Sequence, residues 1–432
     1  MKIIQLAGRI EGSGVTRYII ELNNALKLEG HDAKIIYFNN NLKSANDMQN
    51  IPDLITMSYG QELIDIINSA DILFINSPIS VKADQVHRDN YYKLIREVSG
   101  PIKVMFCNDH NIMGMRSYYG LEFVNDPDIL LKHIDKFVTF SPYNTIFKKI
   151  QKVYPEIVDK YVHMALPYTF SDREIVPFED KYRRVTYLGR FAPFKDPMRL
   201  TRNRKSFVDN NYQLEMRGIA RTIASACVDG FLYDIDENGT RLGPAKGTFD
   251  LTGGKKVIEK LFPGEDPDLI HYTDRDINKV YMFGRYEREA GMKATSYSLF
   301  GCDFYFHKDP LALGDTMEYA IAEIIDAGTI PLLDKETIDA FRVYDENGMR
   351  TKDSMANYPC GIGIAKDGSN IDEAIAQMNA LAEDKEAYDN YRRDCLEFYK
   401  EFYNPCKIAK RLIADVTSND NSAALEEFDY KK

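Results

Sequence analysis

Apolar positions in this chain come in short continuous runs separated by amphipathic stretches. Over the first 170 residues the runs "KIIQLAG" (2–8), "AKIIYF" (33–38), "DILFIN" (71–76), "IKVMFC" (102–107), "KFVTF" (136–140) and "VHMAL" (162–166) predict β-strands. Between several of them, "VTRYIIELNNALKLEG" (15–30) and "RDNYYKLIREVSG" (88–100) repeat apolar residues at helical spacing. Strands alternating with helices in this way predict a mostly parallel sheet covered on both faces.

A polar, proline-containing stretch, "PYTFSDREIVPFEDKYRR" (167–184), interrupts the pattern and reads as a linker. The alternation then restarts. It gives a strand over 184–190, a helix over 196–211 with proline in its first turn, and a strand over 212–218. Residues 228–285 read as irregular, with a hairpin expected around Asn238-Gly239. A helix over 318–328 closed by glycine, a strand over 329–334 and a long helical pattern over 370–402 follow. The expected organisation is a Rossmann-like domain over 1–170, a linker over 171–183 and a second Rossmann-like domain over 184–390. A C-terminal helix over 391–416 would pack back toward the first domain, ahead of a flexible tail over 417–432. Two such domains predict a cleft between them, and open parallel sheets bind ligands at the carboxyl ends of their strands.

Composition narrows the class. A length of 432 residues allows two domains of roughly 200 each. The 44% hydrophobic and 28% charged content suits a soluble globular protein. No apolar run approaches the ~18 residues of a membrane span, and "MKIIQLAGRIEG" lacks the features of a secretory leader. Six scattered cysteines without a C-x-x-C pair read as reduced cytosolic thiols. The net charge of −11 argues against indiscriminate coating of a polyanion. Yet residues 1–170 carry 18 Lys/Arg against 19 Asp/Glu, and a basic cluster, "GRFAPFKDPMRLTRNRK", occupies 189–205. Contact with phosphates depends on such a local patch, so a nucleic-acid partner stays open.

Four segments carry candidate chemistry. In "LAGRIEGSGVTRYIIELNNAL", Gly12 and Gly14 lie between a strand and a helix, where backbone N–H groups and the helix dipole favour an anion. Arg17 stands where a dinucleotide fingerprint has its third glycine, which disfavours a dehydrogenase. Alone, the segment fits a ligand-free turn equally well. In "YLGRFAPFK", Arg190 ends a strand and Lys195 opens a helix, the two cations a departing diphosphate requires; a solvated basic face has the same look. In "DTMEYAIAEIIDAGTIPLL", Asp315, Glu318 and Glu323 surround a helix start, where one carboxylate could take both hydroxyls of a ribose, or merely decorate an amphipathic helix. In "VMFCNDHNIMGMRSYYGLE", a strand ends on Asn108-Asp109-His110, placing an amide, a carboxylate and an imidazole side by side. Asp-x-Asp pairs at 126–128, 234–236, 266–268 and 274–276 lie in turn-like sequence and read as turn residues.

Taken together, "GSGVTRYIIELNNALKLEGHDAKIIYF", "GRFAPFK" and "MEYAIAEIIDAGTIPLL" resemble the retaining nucleotide-sugar glycosyltransferases of the GT-B fold, two Rossmann-like domains with an interdomain cleft. "EGSGVT", "DILFINS", "DNYYKLI" and "NDHNIMGMRSYYGLE" resemble, within them, the phage enzymes that glucosylate DNA; the likeness fades between about 222 and 300. The resemblance implies transfer of a sugar from a UDP-sugar to the hydroxymethyl group of 5-hydroxymethylcytosine in double-stranded DNA, with no obligatory metal. It places Gly14 near the donor phosphates, Arg190 and Lys195 on the β-phosphate, and Glu323 on the ribose, with Glu318 a weaker match. Asp109 becomes the candidate base, with His110 orienting or sharing the proton. Asn108, Arg116 and Tyr118 fall on the acceptor side, with Lys148 and Lys149 as further phosphate contacts. A monomer acting in the cytoplasm of an infected bacterium is the setting implied. Two departures stand out. The family has His-Asp-His where this chain has Asn108-Asp109-His110, and a basic residue where this chain has Asp315, which opens the donor to a pentose such as arabinose as well as glucose. A same-fold enzyme with a small-molecule or cell-surface acceptor, and a non-catalytic DNA- or nucleotide-binding protein, are the competing readings.

Overall fold

A computed structural model describes residues 1–8, 14–38, 51, 54–76, 85–106, 127–139, 155, 160–189, 199–200, 203–217, 233–235, 241–244, 280–283, 292, 295–304, 319–335, 338 and 359–418. They form two compact units. One holds the described residues up to Thr169 together with those from Tyr403 onward; the other holds those from Phe170 to Phe402.

The first unit is built on seven parallel strands: β1 (Lys2–Ala7), β2 (Asp32–Phe38), β3 (Leu54–Met57), β4 (Ile72–Asn76), β5 (Ile102–Phe106), β6 (Lys136–Thr139) and β7 (Tyr161–His163). Their spatial order is β3-β2-β1-β4-β5-β6-β7. Helices α1 (Gly14–Leu28), α2 (Gln61–Asn68), α3 (Gln85–Glu97) and α4 (Pro127–His133) lie between them in sequence. β4 is buried at every position, as a parallel strand covered on both faces must be. α1 ends in a Schellman motif: Gly30 takes φ +84°, and the N–H groups of Gly30 and His31 reach the carbonyls of Lys27 and Leu26. Lysines close two other helices. Lys103 Nζ donates to the carbonyls of Val98 and Ile95 after α3 (2.9 and 3.4 Å), and Lys160 Nζ to those of Leu131 and Ile134 around the end of α4 (2.5 and 2.7 Å).

The second unit has six parallel strands in the order β12-β9-β8-β13-β14-β15. They are β8 (Tyr182–Leu188), β9 (Gln213–Arg217), β12 (Val280–Phe283), β13 (Ser298–Cys302), β14 (Ile330–Asp334) and β15 (Ile362–Ile364). The described helices are α5 (Arg204–Asp209), α6 (Tyr319–Asp326), α7 (Ile371–Glu383) and α8 (Lys385–Phe402), with a short 3-10 turn at Phe178–Asp180. The stretch expected to be irregular over 228–285 supplies the edge strand β12. It also supplies an antiparallel ribbon, β10 (Tyr233–Ile235) with β11 (Arg241–Pro244), flanking the expected hairpin turn.

The helical pattern over 370–402 divides into α7 and α8 at Asp384, whose extended backbone stops one helix while its Oδ1 accepts the Ala387 N–H at 3.0 Å to start the next. A single helix over 391–416 does not form either. The chain breaks at Tyr403-Asn404, where Asn404 caps α9 (Pro405–Thr417) by accepting from the Lys407 N–H at 3.1 Å, and Pro405 takes its first turn. α9 packs against α1 in the first unit.

The segment after Phe170, read from sequence as a linker, is fastened to the second unit. The Ser171 N–H and hydroxyl both donate to Asp326, at 2.9 and 3.0 Å, and Arg173 pairs with the same carboxylate at 3.6 Å. Gly328, at φ +76° in the Schellman motif that closes α6, sits under Ile175. A Cβ there would lie 2.9 Å from Ile175 Cγ2, so only glycine serves both the turn and the contact.

Candidate functional site

In the first unit the expected chemistry belongs at the carboxyl ends of β1, β4 and β5. Gly14 opens α1 there and is exposed, leaving its backbone accessible. Behind this edge lies a buried network of amides. Gln5 Nε2 donates to the Ile19 carbonyl (3.0 Å) and Asn23 Oδ1 (3.3 Å), Asn76 Nδ2 donates to Gln5 Oε1 (3.4 Å), and the Tyr18 hydroxyl donates to Asn76 Oδ1 (2.6 Å). Tyr18 also stacks on Phe106 at 5.6 Å, and Phe74 meets Phe106 edge-on at 5.3 Å. Phe106, two residues before Asn108-Asp109-His110, is therefore held on two sides. Asn108, Asp109, His110, Arg116, Tyr118, Lys148 and Lys149 lie outside the described residues.

Arg17, the residue that breaks the dinucleotide fingerprint, has a place of its own. Its guanidinium covers the Tyr168 ring at 4.1 Å and pairs with Glu21 at 3.6 Å. Glu21 in turn accepts from the Thr169 N–H and hydroxyl at 3.2 and 2.6 Å, so one turn of α1 secures the end of the unit's main segment.

In the second unit, β8 ends at Leu188 followed by the buried Gly189. Arg190 and Lys195 come next in sequence and lie outside the described residues, as do Asp315 and Glu318. β13, α6 and β14 form a crossover between parallel neighbours, which returns the start of α6 to the carboxyl edge of the sheet, where β8 also ends. Glu323 is buried in the second turn of this helix, 7% exposed, among Ile321, Ala322, Ile324 and Ile325. A carboxylate in such company is costly unless something donates to it or balances its charge. Asp326, one turn on and equally buried, spends its charge on Ser171 and Arg173.

The basic cluster 189–205 is divided by the fold. Arg199 is buried and paired with Asp334 at the end of β14. It donates to the Ile364 carbonyl at 3.3 Å, and its guanidinium lies 5.0 Å from the Phe304 ring. This side chain ties together the carboxyl ends of β13, β14 and β15 and is not part of a solvated patch. Lys205, by contrast, stays exposed beside Asp209. Sequence reading also missed Asp326 and the wholly buried pair of Arg184 and Glu215 (3.0 Å). The available signal was a charged residue inside an otherwise apolar run, as in "YAIAEIID". Among the described residues, no three His, Cys, Asp or Glu side chains are grouped to hold a metal ion, and no helix is long and apolar enough to cross a membrane. Cys302, Cys360, Cys395 and Cys406 are free thiols.

Comparison with known proteins finds likeness in both sequence and fold. A family model described as DNA alpha-glucosyltransferase matches residues 13–187. The DNA alpha-glucosyltransferase of Enterobacteria phage T4 is 25% identical over 420 residues, covering 91% of this chain and 94% of that protein. Among solved structures, an alpha-glucosyltransferase in complex with UDP and a 13-mer DNA containing a HMU base superposes with a TM-score of 0.68 at 17% identity, covering 97% of this chain and all of that one. An alpha-glucosyltransferase complex with UDP-glucose and abasic-site DNA gives 0.69 at 17% identity, covering 96% and 99%. The fold is GT-B, with two Rossmann-like parallel sheets.

Proposed function

We propose, from the premise that this chain is a relative of the phage DNA alpha-glucosyltransferases, that it transfers a sugar from a UDP-sugar to the hydroxymethyl group of 5-hydroxymethylcytosine in DNA. The observation that carries the reading is the match to the T4 enzyme over 91% of this chain and 94% of that one, which spans both sheets. The setting is the cytoplasm of an infected bacterium, with the protein acting as a monomer on double-stranded DNA, where the added sugar shields phage DNA from nucleases.

In this proposal Asp109 takes the proton of the acceptor hydroxyl as its oxygen bonds to the anomeric carbon, and His110 orients or shares that proton. The bond from the anomeric carbon to the β-phosphate oxygen breaks, and UDP carries away the electron pair. Arg190 and Lys195 stabilise the charge growing on that phosphate without an obligatory metal. Glu323 holds the ribose hydroxyls, the N–H groups at Gly14 face the donor phosphates, and Glu318 and Asp315 flank the donor. Asp315 then selects the sugar, glucose or a pentose. Asn108, Tyr118 and Arg116 engage the acceptor. The target base leaves the stack to reach the site, at a cost of a few kcal/mol. Retention at the anomeric carbon follows from the family likeness.

Mass spectrometry of hydroxymethylcytosine DNA incubated with a panel of UDP-sugars tests the reading. A gain of one hexose or one pentose is expected, and no gain with any donor sinks it. Asp109→Ala should lower turnover by roughly 10²–10⁴-fold while leaving UDP binding intact, whereas a mere binder would keep its full function. Affinity for duplex should fall steeply between 50 and 200 mM salt, on the order of 10³-fold or more for six or so phosphate contacts, a dependence a small-molecule acceptor would not show.

A further inference from the structure

The Arg199 side chain is 1% exposed and that of its partner Asp334 is 2% exposed. The pair sits at the carboxyl edge of the second sheet, where Asp334 is the last residue of β14. Arg199 also donates to the carbonyl of Ile364, the last residue of β15, at 3.3 Å. Its guanidinium lies 5.0 Å from the ring of Phe304, just beyond β13. One side chain therefore links three neighbouring strand ends. Its own backbone is held as well, because the Arg199 carbonyl accepts from the Asn203 N–H at 3.2 Å and from Asn203 Nδ2 at 2.9 Å. Asn203 in turn packs on Gly368, φ +74°, in the turn after β15; a Cβ on that glycine would lie 3.0 Å from Asn203 Oδ1.

A buried ion pair is a costly way to hold strands together, since a well-packed apolar pair does so at least as well. What the ions add is a fixed geometry. Arg184 and Glu215, wholly buried at 3.0 Å, fix one strand to the next within β8 and β9. Arg199 instead anchors chain that has just left the ligand-binding edge. β8 ends at Leu188 and the buried Gly189, residues 190–198 follow, and Arg199 comes next. The nine residues between these two buried points include both donor-side cations, Arg190 and Lys195. Lys195 precedes Arg199 by four positions, a span of at most about 14 Å.

We propose that Arg199 is a positioning residue for sugar transfer: held by Asp334 and Ile364, it fixes the end of segment 190–198 so that Lys195 meets the β-phosphate of the donor. Arg199 itself touches neither the substrate nor the reacting atoms. The inference rests on the assignment of Lys195 to that phosphate under the proposed function, and adds what holds the lysine in place. A lysine is a point charge on a flexible stem, so its placement depends on the anchoring of its backbone. A displacement of about 1 Å in a group that orients the substrate can cost on the order of 100-fold in rate.

The test titrates the full chain calorimetrically with UDP and with UMP, which lacks the β-phosphate. Arg199→Met combined with Asp334→Leu removes the whole pair, a change close to neutral for stability, and thermal melting checks that the variant folds. It should bind UDP about tenfold more weakly, the size of one charge-assisted hydrogen bond, and UMP within about twofold of the parent. In a Lys195→Ala background the same two substitutions should weaken UDP binding by less than about twofold further, because their effect runs through that lysine. Arg184→Met with Glu215→Leu, also the loss of a whole buried pair, should leave UDP affinity unchanged. Arg199→Lys keeps the charge without the planar fork and should fall between the parent and the pair variant. It carries the test should the pair variant fail to fold. Equal weakening of UDP and UMP, an undiminished effect in Lys195→Ala, or parental UDP affinity in a folded variant would overturn the proposal. A parent protein that does not bind UDP sinks the donor reading and takes the proposal with it, whereas UDP binding indifferent to Arg199 sinks the proposal alone.

Discussion

The two units share a plan, an all-parallel sheet buried on both faces, but they bury different polar groups beneath it. The first links β1, β4 and α1 through neutral partners, Gln5, Asn23, Asn76 and Tyr18. The second buries ion pairs. Arg184, on the central strand β8, pairs with Glu215 on β9 at 3.0 Å and donates to Ser298 on β13 at 2.9 Å, while Arg199 pairs with Asp334. Neutral amides are desolvated at modest cost and satisfy one another. A buried ion pair gains little over an apolar substitute, but loss of one partner strands a charge. The second unit should therefore tolerate loss of a whole pair and fail on loss of half of one, whereas the first should degrade gradually.

The largest effect is expected at Arg184. Arg184→Met removes the buried cation beside Glu215 and should cost about 3–5 kcal/mol in chemical denaturation. Adding Glu215→Leu should return most of that loss, and a double variant as unstable as the single would break the contrast between the units. Next comes Asn76→Ala in the first unit, which leaves Gln5 and Tyr18 short of a partner and should cost about 1–3 kcal/mol.

Lys181 provides a smaller, pH-dependent signal. Its folded value, about 7, lies below its ordinary 10.5, so the unfolded chain holds more protons between those limits and stability rises with pH across that window. The thermal midpoint should climb from pH 7 to pH 9, and the climb should flatten in Lys181→Met. An identical slope in the variant would show that the charge on Lys181 is not what disfavours the folded state. The smallest effect is Lys205→Ala, which removes an exposed i,i+4 pair with Asp209 and should change stability by at most about 0.5 kcal/mol.

Much of the architecture is legible in the residues because burial on both faces writes itself as continuous apolar runs. Every strand expected over the first 170 residues has its counterpart in β1, β2, β4, β5, β6 or β7. The short β3 escaped because "LITM" is brief and lies against an edge, and β12 because its partner β9 is some 65 positions earlier in the chain. The long helical pattern concealed breaks at Asp384 and Asn404, where local side-chain caps outweigh apolar periodicity. Of the expected site residues, Glu323 reads as one acid in a helix of isoleucines and alanines, and the fold buries it. Arg199, equally charged and in a cluster read as a local basic patch, turned inward to Asp334.

Alternation of apolar runs with amphipathic stretches was enough to determine the fold class and the restart of the pattern after residue 184. Those properties follow from hydrophobic burial, which acts on each segment by its composition. Which charges are spent internally was settled only in three dimensions. Arg184 with Glu215, Arg199 with Asp334, and Asp326 with Ser171 are brought together from distant positions in the chain. An isolated arginine or aspartate looks the same in sequence whether it faces water or a buried partner, because its desolvation and its pairing exist only once the chain has closed around it.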